Sequence, residues 1–362
     1  MNMKQLLAII FSTTILSFSS IVQATPHSNY VAEASHPSAP ENNCFILNPV
    51  CQAAYALAYA AYLIEVAAVD AQNYNNRYNS QYPVVLVHGV SGFDQILVFV
   101  EYFQGIPAEL RDGNAVVYTP NLTAWEDAEV RGEQLLSYIQ NTVLPETGAS
   151  KVNIIGHSLG GPTSRYVAGV RPDLVASVTT VNATNYGSGF ADWGVDNLLG
   201  TAPGDAILAI LNLAGVVVDA LAGNIEYEQD ALDTILFMST EKSVEFNANF
   251  PGGEPTSYCG EGAAEANGVK YFSWGSHGTI TNVLDVSDAL LAFTGALGYW
   301  NGDQHDGLVA VCSMHWGDVI RDDYHMNHLD ATNMLFGLNN IFETHPSTLF
   351  ENQASRLRGM DL

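Results

Sequence analysis

Basic residues are scarce. The 362-residue chain carries 12 Lys and Arg against 38 Asp and Glu, a formal net charge of −26. Nucleic acid is bound through basic patches, so it is excluded as a partner. Strong acidity points to solubility or salt tolerance and names no function. Charged residues of both signs make up only 14% of the chain and apolar residues 48%. A sizeable core is therefore available, and the length, large for one domain, still suits a single α/β fold. No internal repeat is present.

Long apolar runs are also few. The first, Leu6 to Val22, is broken by Ser and Thr, which makes it short and hydroxyl-rich for a membrane anchor. Lys4 precedes it and Val22-Gln23-Ala24 follows as a small-residue cleavage site. Residues 1–24 thus read as a secretory signal, and losing Lys4 shifts the net charge from −26 to −27. The protein is expected to be secreted through a periplasm to the extracellular space. Cysteine is limited to Cys44, Cys51, Cys259 and Cys312. An even count in an exported chain favours two disulfides. Cys44 and Cys51 are close enough to staple a local loop, which leaves Cys259 with Cys312.

Residues 25–78 form an N-terminal extension. Its first part, 25–43, is polar and proline-bearing and predicts a flexible lead-in. From Gln52 to about Gln72 the Ala- and Tyr-rich composition predicts a helix. Tyr55, Tyr59 and Tyr62 share one face of it, either packed on the body or docked on a partner. Glu65 and the length argue against a membrane span.

From residue 79 to 362 the pattern is that of one domain. PVVLVHG (83–89), NAVVYT (114–119), KVNIIGHS (151–158) and VASVTTVNA (175–183) are short β-branched runs, and 126–144 reads as an amphipathic helix. Such alternation predicts an α/β fold, a mostly parallel central sheet flanked by helices. Residues 203–222 are apolar nearly all round, which fits a buried core helix or a mobile lid.

IIGHSLGG (154–161) is G-x-S-x-G at the end of an apolar strand. Ser158 would sit on a sharp strand-to-helix turn, with Gly156 and Gly160 flanking it where a Cβ would collide with backbone. The helix beyond it offers N–H groups to a developing oxyanion, Leu159 first. A second donor belongs to the loop after an earlier strand, and Val90 in HGVSGF (88–93) fits. His88 is then structural, and His157 points away from the turn. The acid and base should follow Ser158 in that order. Asp285, Asp288, Asp303 and Asp306 are candidate acids; His277, His305, His315, His325, His328 and His345 are candidate bases. Spacing does not choose among them.

Several blocks go further: YPVVLVHGVSGFD (82–94), VRGEQLL (130–136), KVNIIGHSLGGPTSRYVAGVRPDL (151–174), CGEGAAEANGVKYFSW (259–274), LDVSDA (284–289), DGLVAVCS (306–313) and VIRDDYHMNHLD (319–330). In this order they resemble the foldase-dependent bacterial triacylglycerol lipases of the Pseudomonas and Burkholderia type, over roughly residue 80 to the C-terminus. The resemblance implies an α/β-hydrolase fold with a helical lid at about 203–222. It implies Ser158 as nucleophile, Asp306 as acid and His328 as base, with Val90 and Leu159 at the oxyanion positions. It matches Cys259–Cys312 to the family disulfide. It places one structural calcium ion, Ca2+, on Asp285 and Asp330 and on the backbone carbonyls of Met334 and Leu338. It also implies a periplasmic foldase as partner, triglyceride at an oil–water interface as substrate, and a monomer that is not an integral membrane protein.

The chain departs from that pattern in places. Relatives usually carry Met and His or Gln where Val90 and Leu159 stand, and NATNYGS (182–188) replaces G-A-P-H-x-G-S. Three competing functions are a carboxylesterase for short soluble esters, a metal enzyme using His325, His328 and Asp330, and a non-catalytic binding protein on the same fold.

Overall fold

The computed structural model describes residues 25–44, 48–96, 100–223 and 227–362. The signal reading for 1–24 lies outside them. The longer helices are α1 (Pro49–Asn75), α2 (Ala128–Tyr138), α3 (Gly160–Val170), α4 (Gly189–Leu198), α5 (Ala202–Leu221), α6 (Thr240–Asn249), α7 (Val286–Leu297) and α8 (Pro346–Gly359). The strands are β1 (Val84–Val87), β2 (Gln95–Ile96), β3 (Val100–Glu101), β4 (Val117–Tyr118), β5 (Val152–His157), β6 (Val175–Val181), β7 (Glu265–Ala266), β8 (Val269–His277) and β9 (Asp318–His325).

Seven strands make one sheet in the order β4-β1-β5-β6-β8-β7, with β9 also on β8. All pairings are parallel except β7 with β8. β-Branched residues fill the central strands because both faces are covered. The period of two divides them between two cores. Val84 and Leu86 pack with Phe103, Leu110 and Phe350 on one face. Val85 and Val87 pack with Leu135, Ile139, Val167 and Trp316 on the other.

Some boundaries differ from the sequence pattern. Only Val117 and Tyr118 of 114–119 pair as strand. The helix read over 126–144 starts at Ala128, capped by Asp127 Oδ1, which accepts from Glu129 and Val130 N at 2.8 Å each. It widens into a π-turn, Ile139–Val143, just before Pro145, which has no N–H to return. β9 reads as polar, DVIRDDYH, because it lies beside β8 with most of its residues only half-buried or exposed.

The lead-in read as flexible is held in place along its length. His27 is buried with Nε2 at 2.9 Å from Ser80 O, Ser28 N donates to Thr147 O at 2.8 Å, and Val31 N to Asn79 Oδ1 at 2.7 Å. Cys44 is bonded to Cys51, and Cys259 to Cys312.

Candidate active site

Ser158 and His328 follow the C-terminal ends of parallel strands, β5 and β9, while Asp306 lies in the loop after α7. β5 ends at His157, and Ser158 follows with φ +57°. A left-handed conformation is costly for a side chain with a Cβ and persists only where surroundings enforce it. They do so here by close backbone approach. A Cβ on Gly156 would lie 2.1 Å from Gly160 O, and one on Gly160 would lie 2.3 Å from Val87 O. β1, β5 and α3 thus meet too tightly for any other residue. A Cβ on Gly89 would lie 2.7 Å from Ser158 Cβ, so the loop after β1 crosses directly over the serine. Among the described residues, neither the Val90 N–H nor the Leu159 N–H is taken by a hydrogen bond within the chain. Two free donors therefore flank Ser158.

Three buried groups hold that loop. The Gly89 N–H donates to Tyr102 Oη at 3.0 Å, and Tyr102 Oη donates to His157 Nδ1 at 2.7 Å. His157 Nε2 lies 3.0 Å from the His328 carbonyl oxygen and donates to it. Both His157 nitrogens are thus used by a neutral imidazole. Burial, then the His328 ring, hold its pKa well below the ordinary value. His88 is similar. Its Nε2 accepts from Leu122 N at 3.1 Å, and Nδ1 lies 2.9 Å from Gly89 O. Burial and the Arg131 guanidinium lower its pKa to about 3. Arg131 itself is buried, donates to the carbonyls of His88 and Thr123, and has its pKa lowered by burial to about 10.

The structure brings His328 and Asp306 together. His328 Nδ1 is 2.6 Å from Asp306 Oδ2, and both side chains are buried. Asp306 is further fixed by Leu308 N at 3.0 Å, Val309 N at 2.8 Å and Asn182 Nδ2 at 2.8 Å. The other carboxylates lie elsewhere: Asp303 Oδ2 accepts from Cys312 N at 3.1 Å, and Asp285 caps α7. Ser158 Oγ makes no hydrogen bond to His328 among the described residues. Such bonds commonly tighten only when substrate arrives. The two histidines of H-x-x-H separate. His325 is exposed, with Nδ1 accepting from Asn340 Nδ2 at 2.9 Å, while His328 is buried. They share no ligand position with Asp330.

Two supporting residues escaped the sequence reading. Asn182 ends β6 at φ +43°, holding Asp306 and Ser276 Oγ together. Its signal in the sequence was an Asn directly after an apolar strand, at the start of the departing segment 182–188. Asn327 lies beside the base. Its Oδ1 accepts from Leu329 N and Asp330 N at 2.9 Å each, and its Nδ2 donates to Asp288 Oδ1 at 2.9 Å.

Asp330 Oδ2 in turn accepts from Thr281 Oγ1 at 2.7 Å and Asn327 N at 3.0 Å. Asp285, Asp288 and Asp330 are all buried, and among the described residues none has a cationic side-chain partner. Burial, then Asp285 and Asp288, push the Asp330 carboxyl up to about 6. Asn339 Oδ1 is buried without a partner, and its backbone carbonyl accepts from Asn282 Nδ2 at 3.0 Å. Among the described residues Asp285, Asp288 and Asp330 do not bring their oxygens within 4.8 Å of one another, whereas Glu126, Asp127 and Asp233 do, at a more exposed place. Acidic groups able to hold a metal are therefore present.

Over the loop that follows β1 lies α5. Leu208, Leu211 and Val218 pack with Val90 against Ala124, Trp125 and Ala231. Its outer side is apolar and open, with Ile210 and Leu213 each 65% exposed. It is not a core helix. Ser158 itself is 3% exposed.

A family model described as alpha/beta hydrolase fold matches residues 82–304. A triacylglycerol lipase of Vibrio cholerae is 46% identical over 296 residues, covering 80% of this chain and 91% of that protein. One of Burkholderia plantarii is 39% identical over 328 residues, covering 81% and 89%. Lipase 1 from Pelosinus fermentans superposes with a TM-score of 0.52 at 15% identity, covering 77% of this chain and 99% of that one. That likeness is one of fold.

The buried neutral His88 generates a pH dependence. Its folded pKa of about 3 lies below the ordinary 6.5, so its contribution is complete above about 6.5 and is lost as pH falls toward 3. Urea unfolding of the wild type and His88→Gln at several pH values should show this. The wild-type advantage should shrink by up to about 1.4 kcal/mol per pH unit below 6.5. A pH-independent difference would contradict a neutral buried imidazole.

Proposed function

The chain belongs to the α/β-hydrolase fold family and, within it, to the bacterial triacylglycerol lipases, and from that premise we propose a secreted enzyme that hydrolyses lipid carboxylic esters through Ser158, His328 and Asp306. The observation that carries the assignment is the buried His328–Asp306 bond of 2.6 Å at the loops beside left-handed Ser158. His328 takes the proton of Ser158 as its Oγ attacks the ester carbonyl. Asp306 fixes the imidazole tautomer and stabilises its charged form. The Val90 and Leu159 N–H groups receive the oxyanion; one such donor is typically worth about 3–4 kcal/mol in the transition state. The alcohol leaves with the proton from His328, and water, deprotonated by the same imidazole, releases the acid.

Ser158 is buried, and α5 packs on Val90 of the neighbouring loop while its outer apolar side faces water. The helix therefore serves as the lid. Contact with lipid offers its exposed side chains an apolar partner and favours its displacement. Substrate is accordingly triglyceride at an oil–water interface. Export through a periplasm with the help of a dedicated foldase rests on the family resemblance alone.

The three buried acids near His328, none with a cationic side-chain partner among the described residues, suit a hard, oxygen-liganded cation. Asp285 and Asp330, with the carbonyls of Met334 and Leu338, would hold one Ca2+. It would neutralise the acids. Because Asn327 binds both Asp330 and Asp288, the ion would stiffen the loop that carries the base.

Hydrolysis of a triglyceride chain-length series, set against soluble butyrate esters, tests the assignment. Ser158→Ala should lower turnover by roughly five orders of magnitude with an unchanged melting temperature; ordinary turnover by that variant would remove the triad. Chelation should lower the melting temperature by several degrees and the initial rate much less. Identical melting with calcium and with chelator would dismiss the ion. Tyr102→Phe should cut kcat by about 10–100-fold, since it unpins both the Gly89 loop and His157. An unchanged kcat would show that this hydroxyl does not position the site.

A further inference from the structure

Helix α1 is long, apolar and nearly unsupported. None of its 27 residues is buried, and Glu65 and Asp70 are its only charged side chains. Length and composition alone would let it cross a membrane. The chain before it opposes that. Ala34 exchanges two hydrogen bonds with Asn73, at 3.0 and 2.9 Å, and Cys44 is bonded to Cys51. From Cys51 to Asn73 the helix rises about 33 Å, and full extension from Ala34 to Cys44 also reaches about 33 Å. The polar lead-in is thus stretched along the helix, and a span would carry it into hydrocarbon.

The two long faces of α1 differ. Tyr55, Tyr59, Tyr62, Val66, Val69 and Asn73 recur at intervals of four and three, and all but Tyr59 are half-buried. Asn73, which holds Ala34, places this face under the lead-in. On the opposite side Ala53, Leu57, Ala60, Ile64, Ala67 and Ala71 recur at the same intervals. All six are exposed, Leu57 at 74% and Ile64 at 72%.

Alternating intervals of four and three are the spacing of a two-helix seam. This seam is symmetric about position 62. Reversed on itself, it sets Leu57 against Ala67, Ile64 against Ala60 and Ala53 against Ala71. Each large side chain meets a small one, the arrangement that lets facing layers interdigitate. Glu65 then lies opposite Tyr59 and Asp70 opposite Ala54, so no acid meets an acid. A parallel pair would instead stack Leu57 on Leu57 and bring Glu65 beside Glu65.

The position of the helix in the fold agrees with a partner other than substrate. Tyr78 N donates to Gly113 O at 2.9 Å and Asn114 Nδ2 to Asn76 Oδ1 at 2.7 Å. Both contacts precede β4, whereas Ser158 follows the last residue of β5 in the same parallel sheet. The root of α1 is therefore at the sheet end remote from the serine.

We propose that the Ala53–Ala71 face of α1 pairs, antiparallel, with the same face of a second copy, forming a two-fold dimer that leaves both active sites free. A rod about 40 Å long and about 10 Å wide offers roughly 400 Å² per copy, about 800 Å² in all, the size of a weak, transient pairing rather than of a standard specific interface. Association is thus reversible, and each copy's net charge of −26 makes it stronger at high salt.

Sedimentation equilibrium of the full secreted chain, over rising concentration at low and high salt, tests the pairing. The average mass should climb toward twice that of one chain, more steeply in salt. Leu57→Glu with Ile64→Glu should abolish the rise at an unchanged melting temperature. Chains carrying Ala53→Cys and Ala71→Cys, mixed and oxidised, should cross-link to each other and not to themselves. A single-chain mass at every concentration overturns the dimer, and 53-to-53 cross-links overturn the antiparallel seam. Binding of a single-chain species to phosphatidylcholine vesicles, lost in the double Glu variant, would assign the face to lipid and overturn the proposal.

Discussion

His157 bridges parts of the molecule that are otherwise far apart in sequence. It accepts from Tyr102, whose hydroxyl also takes the Gly89 N–H, and it donates to the carbonyl of His328. One continuous line of hydrogen bonds therefore runs from the loop after β1 through Tyr102 and His157 to the loop that carries His328. Such a line works only while His157 is uncharged, because a charged imidazole could not accept from Tyr102. Burial supplies that condition. The same burial makes each link expensive to lose, since a freed polar group would find no water.

Rigidity behind the site contrasts with openness in front of it. Ser158 is held by backbone contacts too close for a Cβ on its flanking glycines, and Asp306 by four hydrogen bonds. Above them α5 keeps an apolar outer side in water. A group displaced during turnover must come from the less stable elements, and α5, packed by one face only, is of that kind. The acidic surface fits the same division. Little charge lies on α5, where only Asp205 and buried Asp219 occur. Asp219 is tied by Gln229 and pushed by burial to about 6.

Legibility differed between the two halves of the sheet. β1, β5 and β6 read clearly because they are buried on both faces and rich in Val and Ile. β9 did not, since DVIRDDYH lies at a partly exposed position and carries no period-two pattern. The elbow at Ser158 was legible because glycine is required at fixed offsets from it. Asn182 and Asn327 were not. Each acts through a side-chain amide whose partner, Asp306 or Asp288, lies far along the chain. The contacts of the lead-in were not legible for a related reason: its polar composition describes what it avoids burying, while its partners Asn73, Asn79 and Cys51 lie further along the chain.

By itself the sequence determined the local geometry and its likeness to a family. It set a strand ending in a left-handed serine, a helix beginning behind it, and the apolar seam of α1, all written at short intervals along the chain. Composition and spacing left four carboxylates and six histidines open, and only the family likeness preferred one pair. The tertiary structure decided what those residues touch. It joined Asp306 to His328, sent His325 to the surface, tied Asp288 and Asp330 to Asn327 beside His328, and laid α5 over Val90. These contacts depend on which strand ends the parallel sheet sets side by side, and strand order is not a property of any short stretch of chain.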